Sequence, residues 1–275
     1  MSASPYNATL VDRVPVTPRL AIFRIRPDGA SYPFKPGQFA VLALQRREPR
    51  WAGSDPEAPE TADEEAGERL IRRAYSISSG SREQEYLEFY VSLTGSGELT
   101  PRLFQLPVGG RLFVGPKAAG HFTLDRVPEG KNVLLMATGT GLAPYVSMIR
   151  SQVLGAGCPA RRAAVVHGAA YSWELGYRDE LESLARECGS FRYLPVISRP
   201  AADPTWSGRT GRLTEWLHHP QLAEGCGFPL TPDQTHIFLC GHPAMVEEAE
   251  KIFLGMGYDA GTPKEPGTLH REKYW

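Results

Sequence analysis

Charge of one dominant sign, closely spaced cysteines and long apolar runs are all missing from this sequence. Lys and Arg number 30 against 31 Asp and Glu, a formal net charge of −1. Such a balance gives no overall field to attract nucleic acid or an acidic membrane surface, and neither is expected as a partner. No window approaches the ~20 apolar residues of a membrane-spanning helix. The opening MSASPYNATLVDRV has neither a basic flank nor an apolar centre, so no secretory leader is expected. The four cysteines, Cys158, Cys188, Cys226 and Cys240, include no C-x-x-C pair. That spacing offers no zinc or iron–sulfur set, and no metal is expected. The expectation is four free thiols in a reducing, cytoplasmic compartment. No internal repeat is visible.

What is present is a chain of 275 residues, long enough for two domains, with 41% apolar and 22% charged residues. The two halves follow different patterns. LAIFRIRP, QFAVLALQ, AYSIS, YLEFYVSLT and GRLFVG are short β-rich segments separated by turn-like pieces such as PDG, KPG and PVGG. They predict an antiparallel β-barrel or sandwich over residues 1–125. Within it, residues 46–70 are rich in charge, Pro, Ala and Gly, and read as an exposed, mobile loop insertion, with docking of a partner by Arg46, Arg47, Arg50 and the acidic run as the alternative. From residue 126 to 275 apolar strands alternate with helical segments. NVLLMAT, RRAAVVHGA, RYLPVIS and HIFLCG read as strands; LAPYVSMIRSQVL, YRDELESLAREC, RLTEWLHH and AMVEEAEKIFLGMG read as helices. This alternation predicts an α/β domain with a parallel sheet, whose ligands sit at the carboxyl ends of the strands.

Three pieces carry chemistry. In ATGTGLAPY, Gly139 and Gly141 follow a strand and open a helix, where bare backbone can approach a pyrophosphate. Gly-rich strand-to-helix turns also occur without a ligand, so this piece alone leaves nucleotide binding open. In GSGELTPRLFQL, Thr100 suits an N-cap and Pro101 the first helical turn. The result is either a second anion site or a plain barrel-capping helix. In RRAYSIS, period two sets Arg73 and Tyr75 on one face and Ser76 on the other. An arginine for phosphate, a ring for a flat ligand and a hydroxyl for a ring nitrogen would together suit a flavin nucleotide.

Taken in order, RAYS, ELTPRL, ATGTGLAPY, LCGHPAMV and a terminal EKYW resemble the ferredoxin–NADP⁺ reductase family, above all its bacterial subclass, whose members can end in Tyr-Trp. The likeness runs from about Leu10 to Trp275 and is interrupted by the 46–70 segment. It implies an FAD-binding β-barrel followed by an NADP(H)-binding α/β domain. By this resemblance Arg73 pairs with the FAD pyrophosphate, Tyr75 packs on the isoalloxazine and Ser76 donates near flavin N5, with Ala74 inside the same motif. Tyr90, Val91, Ser92 and Leu93 match the next strand lining FAD. Glu98, Leu99 and Thr100 match the phosphate turn, and Thr140 a threonine that contacts flavin. Tyr274 and Trp275 are expected to cover part of FAD, the tail returning over a loose Gly/Pro-rich segment.

On the NADP side the resemblance assigns Gly139 and Gly141 to the pyrophosphate loop. Arg199 and Arg212 match arginines for the 2′-phosphate, with Arg209 a nearby spare. Some relatives carry a further arginine where this chain has Ala170, so NADPH is expected to be preferred with weaker discrimination against NADH. Cys240 matches the cysteine beside the nicotinamide, and Glu272 an acidic residue that relays a proton. His167 and His242 are expected to be structural. The implied enzyme is a monomeric ferredoxin/flavodoxin–NADP⁺ reductase that moves hydride between NADP(H) and FAD, and single electrons between FAD and ferredoxin or flavodoxin. The alternative is an NAD(P)H-dependent reductase component of an oxygenase, or a flavin reductase of the same superfamily. Arg24, Arg26, Arg102, Arg111 and Lys117 are basic residues that could dock an acidic partner.

Overall fold

A computed structural model describes residues 4–29, 31–57, 67–153, 157–218, 221–262 and 265–273. The chain divides into two compact units, Met1–His121 and Phe122–Trp275. Phe122 goes with the second, where its ring packs on Tyr145 and, edge-on, on Phe238.

The first unit is a six-stranded antiparallel sheet. Its strands are β1 (Ala8–Thr17), β2 (Leu20–Pro27), β3 (Phe39–Gln45), β4 (Leu70–Ser76), β5 (Leu87–Ser92) and β6 (Arg111–Val114), in the spatial order β4-β3-β6-β1-β2-β5. An isolated bridge between Ile77, just past β4, and Phe89 of β5 joins the two ends and closes the sheet as a barrel. Closure removes the open edges that a flat sheet would expose. The interior is filled by Leu10, Phe23, Ile25, Leu42, Leu44 and Phe89 among others. Strand β1 is an element the sequence reading missed, because ATLVDRVPVT carries a proline. Pro15 is tolerated: β1 pairs with β6 only through Ala8 and Thr9, so beside Pro15 no ladder bond to β6 is lost.

One helix, α1 (Thr100–Gln105), plugs this barrel, with Leu99, Leu103 and Leu106 in the core cluster. Phe104 meets Phe23 edge-on at 5.3 Å. Thr100 is not the N-cap that its position suggests. Leu99 holds that place in a helical conformation with no side-chain cap, because its side chain is drawn into the core. The Thr100 hydroxyl instead closes the preceding loop: Oγ1 accepts from the Thr94 N–H at 3.0 Å and donates to the Thr94 carbonyl at 3.2 Å.

The segment after β3 also departs from expectation. Residues 46–57 are tied down rather than loose. Trp51 N–H donates to the Pro101 carbonyl and Asp55 N–H to the Gly95 carbonyl. Arg102, only 3% exposed, grips both Glu57 oxygens at 2.8 and 2.9 Å, and Arg50 reaches Glu57 at 2.6 Å. A buried guanidinium is costly without a partner, so Glu57 fixes the strap to the barrel. Arg102 holds the Glu57 carboxyl below its usual range. Residues 58–66 lie outside the described residues.

The second unit is a parallel sheet of β7 (Asn132–Thr138), β8 (Ala163–Ala169), β9 (Phe191–Ile197), β10 (Arg209–Thr210), β11 (Thr235–Gly241) and β12 (Leu269–Lys273), in the order β10-β9-β8-β7-β11-β12. Helices α2 (Ala143–Val153), α3 (Arg178–Glu187), α4 (Gln221–Cys226) and α5 (Pro243–Gly255) connect them. Leu134, Met136, Val166, Val196 and Leu239 pack with Val246 and Phe253 of α5 and Leu222 of α4. The intervening Val133, Leu135, Val165 and Phe238 are buried as well, so both faces of the sheet are covered.

Three expectations are corrected here. RLTEWLHH forms a single 3₁₀ turn, Glu215–His218, and not a helix; Leu213 and Leu217 are drawn into the core while Glu215 caps the turn at Arg212 N–H. The sequence reading placed no strand in the tail, yet Leu269–Lys273 is the sixth strand, parallel to β11. Nor are all cysteines thiols. Cys158 and Cys188 form a disulfide with Cα atoms 5.5 Å apart, while Cys226 and Cys240 remain buried thiols. Parallel pairing of β8 with β9 sets the chain entering each strand side by side, which brings residues 30 apart in sequence together.

Candidate cofactor sites

In the first unit, β4 carries Arg73, Ala74, Tyr75 and Ser76 in register with Leu42, Val41, Ala40 and Phe39 of β3. The alternation puts Ile71 and Tyr75 against the barrel core and Arg73 on the same side beyond it. Ser76 is buried. Arg73 Nη2 lies 2.5 Å from Glu98 Oε2, and Arg46 Nη1 3.0 Å from Glu98 Oε1. This places two of the expected residues, Arg73 and Glu98, beside a hollow of about 320 Å³ that is rich in arginine. Tyr90, Val91 and Leu93 are buried and Ser92 half-buried on or just after β5, with Val91 in the barrel core. Leu99 is in the core and Thr100 closes the loop above it, as described.

In the second unit the site forms at the carboxyl end of the sheet, where β7 and β11 are neighbours. Gly139 takes a left-handed backbone, φ +53°, and the 3₁₀ turn Gly139–Leu142 runs into α2. Gly141 sits against the end of β11: a Cβ there would lie 2.5 Å from the Cys240 carbonyl oxygen. Gly241, at φ +130°, has the mirror problem, since a Cβ would lie 2.4 Å from Thr138 Oγ1. The His242 N–H donates to that Thr138 hydroxyl at 2.9 Å. Only glycine allows these two strand ends to close together, and the approach leaves bare backbone at the surface of the turn, with Thr140 half-buried within it. Strand β12 then adds the acid. Its register sets Glu272 opposite Cys240, on the same face of the sheet.

His242 caps α5, its Nδ1 accepting from the Ala244 N–H at 3.2 Å. His167 is fully buried in β8, with Nδ1 3.0 Å from the Tyr193 hydroxyl. Burial pushes its pKa down to about 4, so it is neutral at physiological pH. His242 thus caps a helix and His167 is packed within the sheet.

The three arginines stand at the β8–β10 side. Arg199 is exposed just past β9, its guanidinium 5.8 Å from the Tyr171 ring centre and 3.3 Å from the Tyr171 hydroxyl. Tyr171 in turn stacks on Trp173 at 4.6 Å. Arg212 is exposed beyond β10, and Arg209, in β10, lies over the Trp216 ring at 5.6 Å. Sequence reasoning missed Tyr171 and Trp173, although two aromatics directly after a strand's carboxyl end were a visible signal. The sequence offers Arg46 only as part of a partner-docking run, with no local signal of its meeting with Glu98.

Two groups of expected residues change status. Of the basic residues offered for docking, Arg102 is buried on Glu57, Arg24 is paired with Glu88 and Asp12 at 3.0 and 3.1 Å, and Arg111 is paired with Asp28. Tyr274 and Trp275 lie outside the described residues. Among the described residues no helix is long and apolar enough to cross a membrane.

A closed antiparallel barrel followed by an open parallel sheet with a glycine turn at its carboxyl end defines a two-part nucleotide-binding oxidoreductase. Comparison with known proteins makes this specific. Residues 135–251 match the family described as the oxidoreductase NAD-binding domain. The chain is 30% identical over 258 residues to a flavodoxin/ferredoxin–NADP reductase of Shigella flexneri, covering 93% of each. It is 31% identical over 276 residues to ferredoxin–NADP reductase B of Sorangium cellulosum (strain So ce56), covering 100% of this chain and 99% of that one. A ferredoxin NADP⁺ reductase from Neisseria gonorrhoeae, solved with bound FAD and NADP, superposes with a TM-score of 0.79 at 26% identity, covering 99% of this chain and 100% of that one. The chain belongs to the flavodoxin/ferredoxin–NADP reductase family. The resemblance drawn from the five motifs and the two-part fold both hold.

Proposed function

We propose that this reductase holds FAD on its first unit and NADP(H) on its second, and passes electrons between NADP(H) and a ferredoxin or flavodoxin. The observation that carries the reading is the register of Cys240 opposite Glu272 beside the Gly139–Leu142 turn, a thiol and a carboxylate at the strand ends where such sheets bind ligands. The residues present also fit the two cofactors. The first unit's hollow carries several guanidinium groups suited to a diphosphate, and the second unit's turn would be filled by any Cβ at Gly141.

Bound FAD supplies the change from a two-electron hydride to single-electron transfer, chemistry that no side chain here can carry. The protein's part is to bind, orient and manage the proton. Arg73 would pair with the diphosphate, Tyr75 would offer its ring to the isoalloxazine, and Ser76 would donate a hydrogen bond at flavin N5. The strand from Tyr90 and the backbone of the turn at Glu98, Leu99 and Thr100 would complete the cradle. In the second unit, Gly139 and Gly141 would present backbone N–H groups to the NADP pyrophosphate, and the family likeness would make Thr140 a flavin contact. Arg199 and Arg212 take the 2′-phosphate, with Arg209 behind them. Cys240 would hold the nicotinamide in place, and the half-exposed Glu272 would exchange the proton with solvent. With Ala170 in place of a further arginine, preference for NADPH over NADH is modest.

The test is anaerobic stopped-flow bleaching of the flavin by NADPH. Ser76→Ala combined with Cys240→Ala is expected to slow the bleaching about 100-fold, the scale of a misplaced reacting pair. An unchanged rate refutes these roles. In the same assay Arg199→Ala with Arg212→Ala raises KM for NADPH far more than for NADH; equal effects refute the 2′-phosphate assignment.

A further inference from the structure

The first unit offers several guanidinium groups around a single carboxylate. Arg46, Arg69, Arg72 and Arg73 line its hollow with Leu70, Ile71 and Glu98. Arg72 is turned away onto the Phe113 ring, 5.5 Å from its centre, as its place one residue from Arg73 requires. Arg46 and Arg73 converge instead on Glu98, one on each carboxylate oxygen, at 3.0 and 2.5 Å. Two guanidinium groups, one from within β4 and one from the end of its neighbour β3, meeting on the two oxygens of one anion is the arrangement with which paired arginines hold a phosphate.

The two sides of this contact are not equally fixed. Arg46 has a rigid backbone: its N–H donates to the Arg69 carbonyl at 3.0 Å, and its own carbonyl accepts from Nε of the buried Arg102 at 3.0 Å. Glu98 sits in the loop before α1 with its side chain 40% exposed, so it can turn into water without stranding a charge in an apolar place. Arg46, at 25% the least exposed of the three side chains, is the fixed partner, while Glu98 and the 52% exposed Arg73 are free to turn toward an incoming anion.

We propose that Arg46 is a second ligand of the FAD diphosphate, beside Arg73, and that Glu98 is an internal stand-in for that anion, holding both forks until the cofactor displaces it. The inference rests on the reading that the first unit binds FAD. It adds a residue from outside the RAYS motif, supplied by the start of the strap that Arg50 and Arg102 fasten through Glu57.

The test measures the FAD dissociation constant of the full chain, from the recovery of flavin fluorescence as the holoenzyme is diluted, for wild type and five variants. Arg46→Ala is expected to weaken FAD about tenfold to hundredfold, the worth of a charge-assisted hydrogen bond. FMN, with one phosphate in place of a diphosphate, is expected to be affected less by the same change. Glu98→Gln removes the competitor and tightens FAD. Arg46→Lys keeps the charge, loses the fork and falls between wild type and alanine; it carries the test if the alanine variant does not fold. The double variant Arg46→Ala with Glu98→Gln stays weak if Arg46 touches the diphosphate. Wild-type affinity in the double variant would mean that Arg46 only neutralises Glu98, and would overturn the proposal. So would FAD binding within twofold of wild type in Arg46→Ala, or weakened binding in Glu98→Gln. Arg73→Ala separates the levels: if it too leaves FAD binding unchanged, the assignment of FAD to the first unit fails, whereas weak binding in Arg73→Ala alone removes only the role of Arg46.

Discussion

Gly141→Ala is the sharpest perturbation of the second unit. The added Cβ would lie 2.5 Å from the Cys240 carbonyl oxygen, 2.7 Å from the Cys240 carbonyl carbon and 2.7 Å from Gly241 Cα. An ordinary contact begins at 3.4 Å, so the gap must open by about 0.9 Å. All three atoms are backbone, and Cys240 is paired with Ala137 on one side and Glu272 on the other. No side-chain rotation relieves the clash; the turn must leave the sheet or β11 must shift between its neighbours. Overpacking of this kind costs about 1–3 kcal/mol, and the rigid surroundings argue for the upper end. For a unit of about 150 residues that is a fall in Tm of roughly 6–12 °C. Gly139→Ala is the matched control. Nothing lies within 4 Å of its Cβ, and the left-handed φ of +53° costs only about 1–2 kcal/mol. Thermal and urea unfolding of the two variants, with titration of NADP⁺, checks the ranking. If Gly141→Ala melts no lower than Gly139→Ala and binds NADP⁺ as wild type does, the close packing of the turn on β11 is not what shapes this site.

Two further outcomes are expected. Glu57→Gln removes the charge that answers the buried Arg102; because Arg102 keeps the Arg46 and Glu98 carbonyls, the loss is about 3 kcal/mol, the low end for a broken buried pair. Urea unfolding of the variant checks it, and an unchanged midpoint means the strap is not fastened there. Acid stability follows from the histidines: burial holds His167 and His270 down to about 4, against 6.5 when unfolded. The unfolded chain therefore binds more protons below 6.5, so stability is flat above that pH and falls as the pH drops toward 4. At pH 5 the fully buried His167 alone takes away about 2 kcal/mol, and His270, stacked on Phe238 beside His236, acts in the same direction. Urea midpoints at pH 7.5 and 5, with His167→Gln flattening the difference, test this; a midpoint that does not fall between the two refutes it.

Much of the fold was legible because it is local. NVLLMAT, HIFLCG and LAIFRIRP are apolar runs of strand length, and β7, β11 and β2 form there. The glycine turn and the RAYS segment declared themselves through residue type at a strand end. What was not legible depended on a partner far away in sequence. Thr100 reads as an N-cap until Leu99 is known to be wanted by the barrel core. The charged, proline-containing strap reads as a free loop until Arg102 is found buried and in need of Glu57. LHREK has no apolar run, and it is a strand only because β11 offers it a free edge.

The amino-acid sequence by itself determined the kind of protein this is: a β half and an α/β half, a bare glycine turn, and the arginine, tyrosine and serine of one strand. These rest on periodicity and on backbone freedom, which act over a few residues. Only the tertiary structure decided which distant groups meet. Parallel pairing of β11 with β12 set Glu272 opposite Cys240, and pairing of β8 with β9 brought Cys158 to Cys188. The end of β3 brought Arg46 to share Glu98 with Arg73. Such meetings depend on strand order and register, and a shift of one residue between β11 and β12 would turn Glu272 to the face opposite Cys240.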